Sequence, residues 1–341
     1  MIEVFLTHDS DALNNFYGEQ ALNALRELAD VRMNDCDRLL DTLELIAQAK
    51  NAAIIVADVN TPAQAELFED LPDLVAFLRC AVDVRTVDID AASRNGVLVT
   101  NASPGFVNSV SELVFGLMVD LARGVTAAAA SYHGGDVPPK HIGVQLHGST
   151  IGILGYGAIG QFVAQLARAI GMTVLAADPH KTIDQPGIEQ VTMDQLLIQS
   201  DFVVCLVVAN DETENLMAAN AFSRMKPSAL FINVSRGNLV DEKALFAALT
   251  DGQIAGAALD VGRAPGQMPA LELAKLANVI ATPHIGGLTP AATQSQAMET
   301  VEQVKALVAG RIPHNARNAA NASRLSRLGV VAAAANLGDE L

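Results

Sequence analysis

Short apolar runs alternate with amphipathic stretches along nearly the whole chain, and that alternation restricts the fold more than any other feature. IEVFL, AAIIVAD, LVAFLRC and VLVTN read as early strands, with EQALNALRELA and DTLELIAQAK as helices between them. A second series starts at Thr150 with TIGILG, TVLAAD, FVVCLVV, ALFINV, IAGAALDV and NVIATP, and its helices include AIGQFVAQLARAIG and DEKALFAALTDG. Repetition of this kind builds parallel sheets from βαβ units. Between the series lies one long helical stretch over residues 109–130, then SYHGGDVPPKHIGVQLHG, whose Gly, Pro and His content marks an exposed loop or arm. Near the end, Thr289 suits an N-cap, Pro290 a first helical position and Gly310 a C-cap, with Met298, Val301, Val304 and Val308 along the buried stripe. The Asn- and Ala-rich tail after Pro313 has no assignment. The expectation is an α/β chain of two doubly wound parallel-sheet domains with an interdomain cleft. Residues 1–102 plus 286–341 form a discontinuous domain, and residues 103–285 form the other.

The chain has 341 residues, half of them apolar, which allows a sizeable core in two medium domains. A net charge of -16 repels phosphate backbones and argues against nucleic-acid partners, so an anionic ligand needs a local positive site. Cys36, Cys80 and Cys205 are odd in number and far apart, which fits a reducing compartment better than disulfides or a zinc site. MIEVFLTHDS lacks the pattern of a secretory signal, and apolar runs such as VVAAAA are too short to span a bilayer. These features predict a cytoplasmic protein with a small-molecule partner, and no metal, membrane or nucleic acid.

IGILGYGAIG places Gly155, Gly157 and Gly160 in G-x-G-x-x-G spacing after an apolar strand and at the start of a helix. TVLAAD then ends on Asp178, eighteen residues after the last glycine. That is the context a dinucleotide fingerprint requires. Gly155 permits the tight turn, Gly157 lets backbone approach a pyrophosphate at the helix N-terminus, and Gly160 allows close helix packing. Asp178 can accept hydrogen bonds from both ribose hydroxyls and would repel a 2′-phosphate, so NAD is favoured, although His180 and Lys181 follow.

In order, GILGYGAIG, ADP, INVSRGNLVDEKAL, GAALDV and NVIATPHIGG resemble the D-isomer-specific 2-hydroxyacid dehydrogenases over about residues 75–310. The resemblance implies a flavodoxin-like substrate domain, a Rossmann NAD-binding domain and a homodimer. It also implies hydride transfer between NAD(H) and C2 of a 2-hydroxy or 2-oxo acid. Arg236, just after a strand, would hold the substrate carboxylate in a two-point fork and polarise the C2 oxygen. His284 would give that oxygen a proton in reduction and remove it in oxidation. By the same resemblance Ala158, Ile159, Val207, Thr213, Val234, Ser235 and Gly286 join the three glycines and Asp178 at the cofactor, and Asp260 lies near the nicotinamide amide. The family's loop whose amides hold the substrate carboxylate is represented by RCAVDVRTVDID, which puts Val82, Asp83 and Arg85 at the substrate. There Asp83 and Arg85 either pair with each other at the surface, or Arg85 reads a second polar group of the substrate.

One family residue is missing. The glutamate that partners the histidine should stand five residues after Asp260 and nineteen before His284, and both counts land on Pro265. Ala264 cannot substitute, Arg263 carries the wrong charge, Gln267 is a neutral candidate, and Glu272 falls on the next helical turn. Loss of the carboxylate withdraws support from the imidazolium, so the reductive limb of the pH profile should lie lower than is usual in such enzymes. A non-catalytic NAD-binding module on the same fold, as in the C-terminal-binding-protein corepressors, is the alternative function. Retention of Arg236 and His284 weighs against it, and the paired SRG and TPHIGG motifs weigh against another Rossmann class such as a methyltransferase. The length leaves no room for the extra regulatory domain of some phosphoglycerate dehydrogenases.

Overall fold

A computed structural model describes residues 1–330. The part of the tail from residue 331 on, including most of VVAAAA and the end of the expected 286–341 segment, lies outside the described residues. The described residues divide into two compact units, Met1–Gly105 with those from Pro290 onward, and Phe106–Thr289.

The first unit holds a five-stranded parallel sheet of β1 (Ile2–Leu6), β2 (Ala29–Met33), β3 (Ile54–Ala57), β4 (Ala76–Arg79) and β5 (Leu98–Asn101), in the order β2-β1-β3-β4-β5. This is the flavodoxin-like order. Side chains alternate across it. Val4, Leu6, Ile54, Val56 and Leu78 meet Leu25, Val301 and Val304 on one face. Phe5, Ile55, Ala57 and Phe77 meet Leu45, Leu67 and Phe68 on the other. Val301 and Val304 belong to the helix Pro290–Val308. Its stripe departs from expectation at the end: Val308 is half exposed, and Leu307 takes the buried position of the last turn.

The second unit holds a seven-stranded parallel sheet of β6 (Thr150–Leu154), β7 (Thr173–Ala177), β8 (Ile188–Gln190), β9 (Phe202–Cys205), β10 (Leu230–Asn233), β11 (Gly256–Leu259) and β12 (Val279–Ala281). The order is β12-β11-β10-β9-β6-β7-β8. The chain runs outward from β6 through β7 and β8, then crosses back to β9 and continues the other way. A switch of direction of this kind opens a crevice at the carboxyl ends of the central strands. The register aligns those ends: Leu154, Cys205, Asn233, Leu259 and Ala281 are successive partners across the sheet. Each expected site residue after a strand of this half-sheet therefore emerges along one edge.

The long helix expected over residues 109–130 is two helices, Val107–Arg123 and Val125–His133, bent by 70°. Gly124 between them has φ +66°, a left-handed conformation that stops the first helix. Residues 134–149 contain no helix or strand. Among the described residues no single helix is long and apolar enough to cross a membrane.

Candidate functional site

The three glycines of the fingerprint meet different demands. Gly155 has φ +90°, and a Cβ there would lie 2.7 Å from the Leu206 carbonyl oxygen. A Cβ on Gly160 would lie 2.4 Å from the Gly155 carbonyl oxygen. The fold itself therefore excludes side chains at both positions. Gly157 differs: its φ is an ordinary -75°, and a Cβ would meet nothing within 4 Å. It caps the helix Ala158–Ile170 without any side-chain cap. An uncapped helix N-terminus beside an open glycine suits an anion that backbone must approach closely. Asp178, just past β7, sits at this turn, accepting from the Tyr156 amide at 2.9 Å and the His180 amide at 2.9 Å.

Further along the edge, a cavity of about 150 Å³ is lined by Ile159, Val234, Ser235, Arg236, Asp260, His284 and Gly286. Phe106, Val110 and Leu206 add to its apolar wall, and none of them stands out in the sequence, because an apolar residue in an apolar run carries no signal of its own. Thr213 and Val207 are not among the lining residues: the Thr213 hydroxyl is held in its own turn with Asn210 and Val208, and the Val207 carbonyl accepts the Ser235 hydroxyl at 2.7 Å.

Two short loops bring Arg236 and His284 to this cavity. Asn233 ends β10, is almost fully buried, accepts the Ser235 amide at 3.1 Å and donates to the Arg236 carbonyl at 3.0 Å. The Arg236 guanidinium also donates to the Ser235 carbonyl at 2.7 Å. Gly237 then lies so close to the next loop that a Cβ would fall 2.1 Å from the Gly262 carbonyl carbon. Arg263, the wrong-charge neighbour of Pro265, is engaged elsewhere, with Glu214 at 2.7 Å, Asn215 at 2.7 Å and the Asn238 carbonyl at 2.9 Å.

Asp260 organises the histidine loop. Its carboxylate is buried and accepts from the Thr282 hydroxyl at 2.6 Å, the Ile285 amide at 2.8 Å and the Gly286 amide at 2.8 Å. The Asp260 amide donates to the Asn233 carbonyl at 3.0 Å, which joins the two loops. His284 itself has φ +57°, a conformation that costs a non-glycine residue about 1 kcal/mol or more and needs such support. Its Nδ1 lies 3.3 Å from the Gly266 carbonyl oxygen. The ring nitrogen thus meets a neutral backbone oxygen. Gln267, the side-chain candidate, has φ +56°, and its Oε1 is buried with no hydrogen-bond partner among the described residues. Glu272 lies in the short helix Leu271–Ala274.

In the first unit, Arg85 and Asp83 form an ion pair, with the Arg85 Nη2 2.6 Å from the carboxylate and the arginine side chain 70% exposed. The surface pair is what the structure shows. Val82 is fixed through its carbonyl, which accepts from Asn101 at 3.1 Å.

Comparison with known proteins places these features. Residues 115–286 match the model of the D-isomer specific 2-hydroxyacid dehydrogenase NAD binding domain. A D-3-phosphoglycerate dehydrogenase of Methanocaldococcus jannaschii is 34% identical over 304 residues, 87% of this chain and 57% of that protein. A glyoxylate reductase of Pyrococcus furiosus is 32% identical over 306 residues, 86% of this chain and 91% of that protein. Among solved structures, the TT0316 protein of Thermus thermophilus superposes with a TM-score of 0.82 at 30% identity, covering 93% of this chain and all of that one. The chain belongs to the D-isomer specific 2-hydroxyacid dehydrogenase family and contains its NAD-binding domain. It spans only about half the length of the phosphoglycerate dehydrogenases of M. jannaschii and Arabidopsis thaliana, 57% and 48% respectively. The glycine turn fits the cofactor: Gly157 leaves open space at an uncapped helix N-terminus, and the Asp178 carboxylate lies at the same turn.

Proposed function

We propose that the chain interconverts a 2-oxo acid and the corresponding D-2-hydroxy acid with NAD(H). The observation that carries this is the convergence of Arg236 and His284 on one cavity, beside Ile159 of the dinucleotide turn. Bound NADH supplies the hydride for reduction. The chain's own groups do the rest. Gly157 and Ala158 at the helix N-terminus take the pyrophosphate in a turn that Gly155 and Gly160 let close, Asp178 takes the ribose, and Val234, Ser235, Asp260 and Gly286 line the cavity beside it, with Val207 and Thr213 outside that lining. Arg236 grips the substrate carboxylate with a charge-assisted fork and polarises the C2 oxygen. The amides of the loop around Val82 and Asp83, with Arg85 at its exposed tip, are a further proposed substrate contact.

His284 moves the proton. With Nδ1–H donated to the Gly266 carbonyl, Nε2 is the working nitrogen. As imidazolium it protonates the C2 oxygen, and as neutral imidazole it removes that proton in the reverse direction. A carbonyl accepts Nδ1–H in both states, so orientation survives without a carboxylate. It adds no negative charge beside the ring, where a glutamate would. The reading further includes a homodimer and a cytoplasmic location, which the free Cys36, Cys80 and Cys205 suit. Sedimentation checks the first.

The test is NADH absorbance with a panel of 2-oxo acids including glyoxylate, and NAD⁺ reduction with D-3-phosphoglycerate. Turnover that disappears in Arg236→Gln and His284→Gln supports the reading. Tight NADH binding with no turnover on any acid moves the chain to the non-catalytic reading.

A further inference from the structure

The carboxyl ends of β1, β3 and β4 meet in a buried polar cluster that the chemistry above does not use. At its centre is Arg79, the last residue of β4, with no exposed surface. A buried guanidinium is costly to hold in a strand that could carry leucine, so its partners matter. It donates to the Asp58 carbonyl, to the Thr61 carbonyl at 2.8 Å and to the Thr86 hydroxyl at 2.9 Å. Its carbon lies 5.4 Å from the centre of the Phe77 ring. The Asp58 amide is held by the Thr7 hydroxyl at 2.9 Å, which in turn lies 2.7 Å from that of Thr61. Burial pushes Arg79 down to about 10, so it stays charged at neutral pH.

Arg79 and Thr86 flank the loop of Val82, Asp83 and Arg85, and their contact closes its neck. Two further bonds tie the same segment down: the Ala63 amide to the Thr86 carbonyl at 3.1 Å, and Asn101 to the Val82 carbonyl at 3.1 Å. The tip remains exposed at Arg85 while the base is locked. We infer that Arg79, acting through Thr86 and the Asp58–Thr61 turn, is a positioning residue that presets the loop amides for the substrate carboxylate. The inference rests on the proposed substrate role of this loop.

Steady-state kinetics on the full chain test it. Thr86→Val removes the loop contact and leaves the strand intact. It should raise KM for the 2-oxo acid about three- to tenfold, with kcat within about twofold and NADH affinity unchanged. Arg79→Met should raise KM further, and Arg79→Lys should recover part of the loss. Wild-type KM in both Thr86→Val and Arg79→Lys, or a fall confined to kcat, overturns the inference. Amide hydrogen exchange over residues 82–85 reads the clamp without turnover: exchange should quicken in Thr86→Val, and unchanged exchange overturns the clamp. A parent chain that reduces no 2-oxo acid sinks the functional reading instead, and exchange alone then decides.

Discussion

Asp260 accepts the amide of Gly286 at 2.8 Å and so fixes, from the end of one strand, the loop that follows the next. With the Ile285 amide and the Thr282 hydroxyl on the same carboxylate, the left-handed turn at His284 is held from both sides. Asp260→Asn keeps the shape but turns one acceptor into a donor facing donors. It should lower kcat about tenfold or more, and cost about 1–3 kcal/mol of stability for each amide left unmatched. Chemical denaturation and kinetics on the same sample check both effects.

Gly157 and Gly160 make opposite predictions. Gly157→Ala meets no protein atom, so it should fold with an unchanged melting temperature while weakening NADH binding about tenfold or more. Gly160→Ala collides with the Gly155 carbonyl and should lower the melting temperature by several degrees even without cofactor. Melting curves with and without NADH separate the two.

Arg236→Lys keeps the charge and loses the fork. We expect kcat/KM for the 2-oxo acid to fall about a hundredfold with NADH affinity near that of the parent, read by kinetics and by fluorescence titration.

Restoring a carboxylate at position 265 tests the role of the Gly266 carbonyl. Pro265→Glu should move the basic limb of the reductive pH profile upward, because a nearby anion favours the imidazolium. Gln267→Ala should leave the limb in place, since His284 contacts the Gly266 backbone. A shift in the second variant alone would transfer the orienting role to Gln267.

His8 carries a pH dependence of stability. It is buried against the Tyr17 ring at 4.9 Å, with no partner for either ring nitrogen among the described residues. Burial lowers it to about 4, against the opposing pull of Asp58 and Asp9, while Arg79 lowers it further. The unfolded chain gains this proton below about pH 6.5 and the folded chain only near 4, so stability is present above 6.5 and lost as pH falls through that window. The loss should approach about 3 kcal/mol, and His8→Phe should remove most of it. Urea unfolding at pH 7 and pH 4.5 measures the difference.

Much of this was legible in the sequence because central parallel strands are buried on both faces: IIVA and FVVC leave no other reading. The sequence pattern does not show β2 and β8, because both are edge strands whose residues are mostly exposed or half-buried, so they carry no apolar run. The break at Gly124 was hidden because one glycine inside a helical stretch costs only about 1 kcal/mol. Asn233, Thr282 and Arg79 were invisible for a different reason. Thr282 and Arg79 find partners from other strand ends, and Asn233 joins the next loop through its backbone carbonyl; the strand register that pairs Asn233 with Leu259 is not written in local pattern.

Gly237 and Gly262 touch backbone to backbone, with no side chain between the turn that bears Arg236 and the loop that supports His284. A seam of that kind has no padding to absorb a shift. A side chain at position 237 would press on the Gly262 backbone, so under the proposed mechanism one substitution there should shift the Arg236 turn and the His284 support together, and change toward a new acid should find its freedom elsewhere in the crevice.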